Sequence, residues 1–229
     1  MKIHTGVSTF PKYLKKIKQV CDVAELESFF NTKPRKSTLE NWRNTMGKKF
    51  RFVIPAPLAL TDPTWKKDTA TFWREGAQGF APGSETDFIG KTLWKSAGLL
   101  QSITFLFVTP PSFRPTADNR DRIMDFFQPF LQKNQRIIWE PQGLWDIEGL
   151  LKKTSNTGIT ISQNPLSDDF IQTDEDFRYF RIESHASANV IREDNIERIL
   201  DACEGSKRSF VIFKTSMPLR DASIFSTYL

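Results

Sequence analysis

Eight β-rich segments recur along this chain with helix-like segments between most of them, and this alternation constrains the fold more than any other feature. Each segment is recognised by its β-branched and aromatic residues: Lys2–Gly6, Val20–Leu26, Phe50–Ile54, Ser102–Val108, Arg136–Glu140, Gly158–Ser162, Arg178–Glu183 and Ser209–Lys214. The spacing of about 29 residues per unit approaches that of a (βα)8 barrel of ~250 residues. We therefore predict a single TIM-barrel-like domain over residues 1–229, with a parallel inner sheet.

A doubly wound open sheet is the alternative fold for such an alternation. That fold would place a glycine-rich phosphate-binding turn after an early strand. The sequence has neither a GxGxxG nor a Walker motif. The barrel is therefore the favoured prediction.

Apolar residues at helical spacing predict the helices that separate these strands: Tyr13–Val20, Ser37–Met46, Thr86–Leu99, Asp118–Leu131, Leu144–Lys152 and Arg192–Cys203. Ser37 and Glu40 have the spacing of a capping box, which predicts that the second helix begins there.

Residues 58–100 form the least regular part of the sequence. Pro63 has the properties of a first helical residue, so we predict a helix from Pro63 through Trp65, Phe72 and Trp73, followed by a glycine-rich loop. This segment, which we call the excursion, contains more aromatic residues than is typical of a disordered loop. We expect it to fold back over one end of the barrel.

The composition excludes several classes of protein. Charged residues make up 26% and hydrophobic residues 39%, as in a globular protein. No apolar run is long enough to span a membrane, and the first residues lack the apolar core of a signal peptide. Cys21 and Cys203 cannot form a CxxC site, and two histidines exclude a multi-histidine metal cluster. We expect a cytoplasmic protein without a membrane segment, and we assign no metal-binding residues.

The net charge of +5 is compatible with an anionic ligand. The basic residues fall in short runs, such as Lys15–Lys18 and Lys48–Lys49, and solvated surfaces are the favoured interpretation over a nucleic-acid face.

Glu140 is the strongest candidate for a functional residue. It ends the apolar strand Arg136–Glu140, next to Trp139, and active sites of barrels lie at the carboxyl ends of the strands. Arg181, near the end of another strand, is its obvious partner. A structural ion pair and a functional carboxylate are equally compatible with this placement.

Glu25 lies in the second strand, and Glu27 would share its face if the strand is regular. Two carboxylates on one face suit acid–base chemistry or a divalent metal. Exposure on the barrel rim is the commoner fate of glutamate and is slightly favoured. Of the histidines, His4 is expected to be hydrogen-bonded in the barrel interior, and His185 to lie in a surface loop.

Five motifs occur in an order and spacing that resemble one family: Ala24–Phe30 with Pro34, Thr38 and Trp42; Phe50–Pro57; Phe107–Phe113; Trp139–Glu140 with Trp145; and Tyr179–Ile182. They are similar to the motifs of the uncharacterised "domain of unknown function 72" (YecE-like) family, and they cover nearly the whole chain. The resemblance implies a (βα)8-like barrel. It implies no particular reaction.

The chain resembles a divergent member, because several polar positions of the family's motifs are changed. Gln142 stands where the family has Phe-Arg-His after the glutamate, Glu183 where it has His-Gly, and Lys214 where it has paired asparagines. The resemblance and the strand-end positions together give two sets of candidates. The candidate catalytic residues are Glu25 and Glu140, and the candidate ligand-binding residues are Arg181, Glu183, Gln142, Trp145 and Lys214.

Two classes of function are consistent with this sequence. In the first, the chain is a barrel enzyme for a phosphate- or sugar-bearing molecule, with Glu140 as general base or metal ligand, Arg181 as anion clamp and Glu25 as a second carboxylate. In the second, it is a non-catalytic binding protein for nucleic acid or another anionic partner. No motif in the sequence identifies a cofactor or an oligomeric state.

Overall fold

The computed structural model describes residues 1–9, 14–68, 71–183 and 191–229 of the chain. Eight parallel strands form one sheet that curls into a nearly closed barrel, which confirms the predicted fold class. The strands are β1 Lys2–Thr9, β2 Val23–Leu26, β3 Arg51–Pro55, β4 Thr104–Thr109, β5 Arg136–Pro141, β6 Ile159–Ile161, β7 Phe177–Ile182 and β8 Arg208–Phe213.

A helix follows every strand except β6, which connects directly to β7, and two helices follow β3. The helices are α1 Leu14–Val20, α2 Lys36–Met46, α3 Leu58–Thr61, α4 Ser84–Leu100, α5 Ala117–Gln132, α6 Ile147–Thr154, α7 Glu193–Cys203 and α8 Pro218–Ser226. Short 3₁₀ turns occur at Glu27–Phe30 and Gln78–Phe80. No helix in the described part of the chain has the length and apolar character needed to cross a bilayer.

The ring of strands runs β6-β5-β4-β3-β2-β1-β8-β7 and closes between β6 and β7 at Gln163. The Gln163 N–H donates to the Tyr179 carbonyl at 3.2 Å, and the Arg181 N–H donates to the Gln163 carbonyl at 3.0 Å. The Gln163 side-chain amide also makes two bonds of 3.0 Å to the backbone of Ile171. The backbone of Gln163 thus joins β6 to β7, and its side chain fixes the segment around Ile171 that connects these two strands.

Alternate residues of each strand point into the barrel, where an apolar cluster fills the space: Val23, Val53, Leu106, Ile138, Tyr179, Phe210 and Ile212. Gly6 of β1 leaves room for this cluster. A Cβ at Gly6 would lie 2.5 Å from Val23 Cγ1 and 2.7 Å from Ile212 Cδ1. The residues on the other face of the strands pack against the helices.

His4 lies inside the barrel near the amino ends of the strands, as expected, with 1% of its surface exposed. Its Nδ1–H donates to Asp22 Oδ2 at 3.0 Å, and its ring meets Phe210 edge to face. Burial lowers the pKa of His4, and the neighbouring charges of Arg51 and Lys2 act in the same direction. Cys21 and Cys203 are both buried, and burial raises their pKa values to about 12 and about 11.

The excursion packs over the carboxyl ends of the strands. The indole N–H of Trp73 donates to the Phe29 carbonyl at 3.1 Å, just after β2, and Trp73 and Phe80 are fully buried. Phe72 and Phe88 are the exposed rings of this segment. The aromatic residues thus anchor most of it, as expected.

Two local expectations are wrong. No helix begins at Pro63, because Asp62 Oδ1 accepts bonds of 2.8 Å from both the N–H and the hydroxyl of Thr64 and closes a turn instead. Helix α2 begins at Lys36, one residue before the predicted cap Ser37, because extended Arg35 already serves as the N-cap. Its N-cap makes no side-chain hydrogen bond.

Candidate functional site

Arg181 is the centre of a buried polar network at the carboxyl ends of the strands. Its side chain points inward from β7 and is 2% exposed. The guanidinium donates to both oxygens of Glu25, at 3.0 Å from Nε and 3.3 Å from Nη2, and from Nη1 to Glu140 Oε2 at 2.5 Å. Burial opposes the charge of Arg181, but Glu25 and Glu140 outweigh it and raise its pKa well above the usual value.

Glu25 is completely buried, so the expectation that it lies exposed on the rim is wrong. Besides the two bonds from Arg181, it accepts a hydrogen bond of 2.6 Å from the Tyr179 hydroxyl. Burial, followed by the charge of Glu25, raises the pKa of Tyr179 well above its ordinary value. Glu25 therefore holds Arg181 in position from inside the barrel, and it is not accessible to a ligand.

Glu25 and Glu27 do not share a face. Strand β2 ends at Leu26, and Glu27 begins the 3₁₀ turn, where it accepts a bond of 2.8 Å from the Ser8 hydroxyl. The predicted pair of carboxylates on one strand face is therefore wrong, because the change from strand to turn rotates the second carboxylate away.

Glu140 is the carboxylate that reaches the surface of the network, with 15% of its side chain exposed. Its Oε1 accepts a bond of 3.2 Å from Gln142 Nε2, and the Ser162 hydroxyl lies 3.5 Å from Oε2. Arg181 thus links a fully buried carboxylate to one that is accessible.

Glu140 opens into a cleft of about 330 Å³ at the ends of β5, β6 and β7. Its polar walls include side chains from β5 and β7 and from the residues that follow β5, β6 and β7: Glu140, Gln142, Gln163, Asn164, Arg181 and Glu183. Asp169 also lines the cleft, so three carboxylates face the single cation Arg181 among the described lining residues.

Lys214, at the end of β8, forms an ion pair of 2.8 Å with Glu183 at the rim. Glu183 Oε1 also lies 3.9 Å from Arg181 Nη1. The structure therefore brings Glu25, Glu140, Arg181, Glu183, Gln142 and Lys214 together.

Trp145 does not line this cleft. Its ring is buried, stacks on Phe113 and meets Trp139 at a centroid distance of 4.9 Å. Its indole N–H donates to the Phe113 carbonyl at 2.9 Å. The expected ligand-binding role of Trp145 is corrected, because its apolar face and its donor are both used in packing.

Tyr179, Gln163 and Asn164 were not among the predicted site residues. Tyr179 could have been found from strand alternation, because it lies two residues before Arg181 and shares its face. Gln163 and Asn164 directly follow β6, and the closure of the barrel brings them to the cleft. His185 lies outside the described residues.

No group of three metal-ligating side chains occurs in the described ranges. A larger groove of about 580 Å³ lies between α4 and α5, lined by rings that include Phe80, Trp94, Phe126 and Phe130. It is mainly apolar and is lined largely by the outer helices, while a third groove of about 790 Å³ lies at the amino ends of β5, β6 and β7, away from the usual position of barrel active sites at the carboxyl ends. The candidate site is therefore the smaller, polar cleft beside Glu140.

The fold matches solved structures over nearly its whole length. A crystal structure of a DUF72 family protein from Enterococcus faecalis V583 aligns with a TM-score of 0.73 at 14% identity, over 99% of this chain and 96% of that chain. A DUF72 family protein from Thermotoga maritima MSB8 gives a TM-score of 0.67 at 16% identity, over 100% and 97%.

A D-psicose 3-epimerase crystallised with D-tagatose, from Clostridium cellulolyticum H10, aligns with a TM-score of 0.58 at 9% identity, over 98% of this chain and 97% of that chain. This similarity shows the barrel fold alone.

Among curated proteins, none matches the chain at a significant level. The family model described as "Protein of unknown function DUF72" matches residues 5–216. This match covers most of the chain and includes every residue of the network around Arg181. The chain therefore belongs to the DUF72 family.

Proposed function

We propose that the cleft beside Glu140 binds a neutral, sugar-bearing ligand, and that Glu140 accepts a hydrogen bond from a ligand hydroxyl and can deprotonate it. The observation that carries this proposal is the position of Glu140, which is held by Arg181 on one side and open to the cleft on the other. A carboxylate fixed in this way is suited to act on a hydroxyl group.

The other lining groups support a polyhydroxylated ligand. The amides of Gln142, Gln163 and Asn164 line the cleft, and each has donor and acceptor capacity beyond the protein bonds it already makes, because an amide has two N–H groups and two lone pairs. Ser162 adds a hydroxyl. Hydroxyl groups of a sugar both donate and accept, so they match such a surface. Phe170 supplies an apolar patch against which a ring can pack.

The charge balance does not favour an anionic ligand at this end of the barrel. Arg181 is the candidate clamp, but it already donates to Glu25 and Glu140. A phosphate would approach Glu140, Asp169 and Glu183, and Lys214 at the rim is paired with Glu183. These carboxylates would repel a phosphate in the cleft, so a neutral ligand is favoured over an anionic one.

The network beneath Glu140 gives it a fixed geometry. Arg181 is held through both oxygens of Glu25, and Glu25 is held by Tyr179. A group locked by buried hydrogen bonds loses little conformational entropy when the ligand binds.

The test is a binding screen of neutral monosaccharides and their phosphate esters, measured by ligand-observed NMR. We expect a neutral sugar to bind the parent, and Glu140→Gln to weaken binding by about tenfold or more, since hydrogen bonds to charged groups contribute about 1.5–3 kcal/mol. Glu148→Gln makes the same change on the exposed face of α6 and should bind like the parent.

Gln142→Ala is the second variant, because it alters the cleft without removing a partner of Arg181. Retained near-UV circular dichroism shows that each variant is folded. The proposal fails if folded Glu140→Gln and Gln142→Ala bind as tightly as the parent. It also fails if phosphate esters bind more tightly than the free sugars and either cleft variant, Glu140→Gln or Gln142→Ala, changes the affinity for these esters.

A further inference from the structure

Four strands begin with a cation whose position in the strand directs it into the barrel. Each lies two residues before an inward-facing residue: Lys2 before His4, Arg51 before Val53, Arg136 before Ile138 and Arg208 before Phe210. Residues two apart in a strand share a face. We call these residues, Lys2, Arg51, Arg136 and Arg208, the basic ring.

The basic ring lies at the amino ends of the strands, opposite the Glu140 cleft. The two ends are separated by the length of β5, which is ~16 Å from Arg136 to Pro141 at 3.3 Å per residue. Lys2 and Arg208 are exposed, while Arg51 and Arg136 are half-buried, so the ring is open to solvent.

Packing holds these cations near one another. Lys2 and Arg208 are direct register partners on β1 and β8. The Arg136 guanidinium lies 3.8 Å from the centre of the Phe177 ring, and Phe177 is the register partner of Arg208 on β7. Burial lowers the pKa of Arg136, and the charge of Arg208 lowers it further, so these two cations repel each other.

Arg51 belongs to the same group. Its Nη1 lies 3.5 Å from His4 Nδ1. Burial lowers the pKa of Arg51 and the charge of Arg208 adds to this effect, while Asp22 partly opposes it. Arg208 thus acts on both half-buried arginines.

The carboxylates at this end offset the charge of the ring only in part: Asp22 opposes the effect on Arg51, and Asp174, Glu175 and Asp176 line the groove that Arg136 borders. Asp22 is bonded to His4, and Asp176 pairs with Lys207 at 2.7 Å. In the described part of the chain, no carboxylate lies within 4 Å of a side-chain nitrogen of any member of the ring. Arg181, by contrast, has three carboxylates within 4 Å at the other end, those of Glu25, Glu140 and Glu183.

We propose that the basic ring binds a compact phosphate-bearing anion, as inorganic phosphate, pyrophosphate or the phosphate monoester of a small molecule. Holding four cations together with no carboxylate in direct contact, among the described residues, is unfavourable, and an anion from solution lowers that repulsion. Guanidinium groups donate paired hydrogen bonds to phosphate oxygens. Cations reaching inward from several strands suit a tetrahedral anion better than a planar carboxylate.

The test is isothermal titration of the whole protein with pyrophosphate and with inorganic phosphate, at about 50 mM salt, where screening is moderate. We expect pyrophosphate to bind with a Kd below about 1 mM. Arg136→Gln and Arg208→Gln should each weaken it about 10- to 100-fold, the range for a lost charge-assisted hydrogen bond.

Arg74→Gln is the matched control, because it removes one positive charge from an exposed arginine outside the ring. Its affinity should equal that of the parent. Lys2→Gln alters an exposed member of the ring and keeps the test valid if an arginine variant does not fold. Glu140→Gln should bind pyrophosphate like the parent, which separates this site from the sugar cleft.

The proposal is overturned if the parent does not bind pyrophosphate, or if the folded ring variants bind it as tightly as Arg74→Gln. A short oligonucleotide that binds more tightly than pyrophosphate would overturn the assignment to a small phosphate-bearing molecule.

Discussion

The hydroxyl of Tyr179 lies 2.6 Å from Glu25 Oε1, although the two residues are 154 positions apart in the chain. Strands β7 and β2 are not neighbours, because β8 and β1 lie between them. The bond therefore crosses the barrel interior. It joins two strands that no backbone ladder connects.

Replacing Arg181 by methionine should strongly destabilise the protein. The substitution preserves much of the side-chain volume but leaves Glu25 buried without its cation, which typically costs about 3–5 kcal/mol. The measurement is the free energy of unfolding in urea. Lys152→Met breaks the exposed Lys152–Glu148 pair and should change stability by about 0.5 kcal/mol or less. Equal effects of the two substitutions would contradict the structure.

Tyr179→Phe should lower the free energy of unfolding by about 1.5–3 kcal/mol, because Glu25 loses a bond to a charged acceptor. The raised pKa of Tyr179 means that its neutral form is favoured in the folded state. The resulting stabilisation is present below the unfolded pKa of about 10 and is lost as the pH rises.

Absorbance of tyrosinate measures this effect directly. In the folded parent, we expect the signal of Tyr179, taken as the difference from Tyr179→Phe, to appear only when the protein unfolds. A difference signal that titrates near pH 10 in the folded protein, as an exposed phenol does, would show that Tyr179 is not buried against Glu25.

His4 should make the protein less stable in weak acid. Its folded pKa lies below the unfolded value of about 6.5, so the unfolded chain binds more protons in that range. The stabilisation is present above the unfolded pKa and is lost as the pH falls towards the folded pKa. Urea unfolding of the parent and His4→Gln across about pH 8 to 5 should show a smaller loss in the variant. The same dependence in both proteins would exclude His4 as the source.

Two glycine-to-alanine substitutions should change the stability of the protein in opposite directions. Gly6→Ala places a Cβ 2.5 Å from Val23 Cγ1 and 2.6 Å from the Val23 carbonyl, so it should cost at least about 1–3 kcal/mol. Gly98→Ala places a Cβ in open space at an exposed position of helix α4 and should stabilise the protein by about 0.5–1 kcal/mol. Thermal unfolding distinguishes them, and a Gly6→Ala protein as stable as the parent would contradict the tight packing beside β1.

The strands were predictable because a parallel strand is buried on both faces and leaves an apolar run in the sequence. Helix α8, Pro218–Ser226, was missed, although Pro218 opens it and Ala222 and Phe225 are buried at helical spacing. Pro63 is likewise a proline that could occupy the first position of a helix, yet no helix follows it. The difference lies in Asp62, whose side chain closes a turn, and local propensity alone does not decide between these outcomes.

The sequence predicts only those site residues whose position follows from their place at the end of a strand. Glu140 and Arg181 end strands of one parallel barrel, so their meeting follows from topology. The burial of Glu25 depends on Tyr179 and Arg181 reaching it from a strand on another side of the barrel. Trp145 was wrongly predicted to bind a ligand, because a residue that is near Glu140 in sequence need not place its ring in the cleft.

Gln163 joins the two ends of the sheet through the few hydrogen bonds that span β6 and β7. If these bonds break, the barrel becomes an open sheet whose two outer strands have unpaired backbone groups, and such edges pair readily with other chains. Amide hydrogen exchange should therefore be fastest, among the barrel strands, at this junction. The same residue that completes the fold thus also protects the protein from self-association.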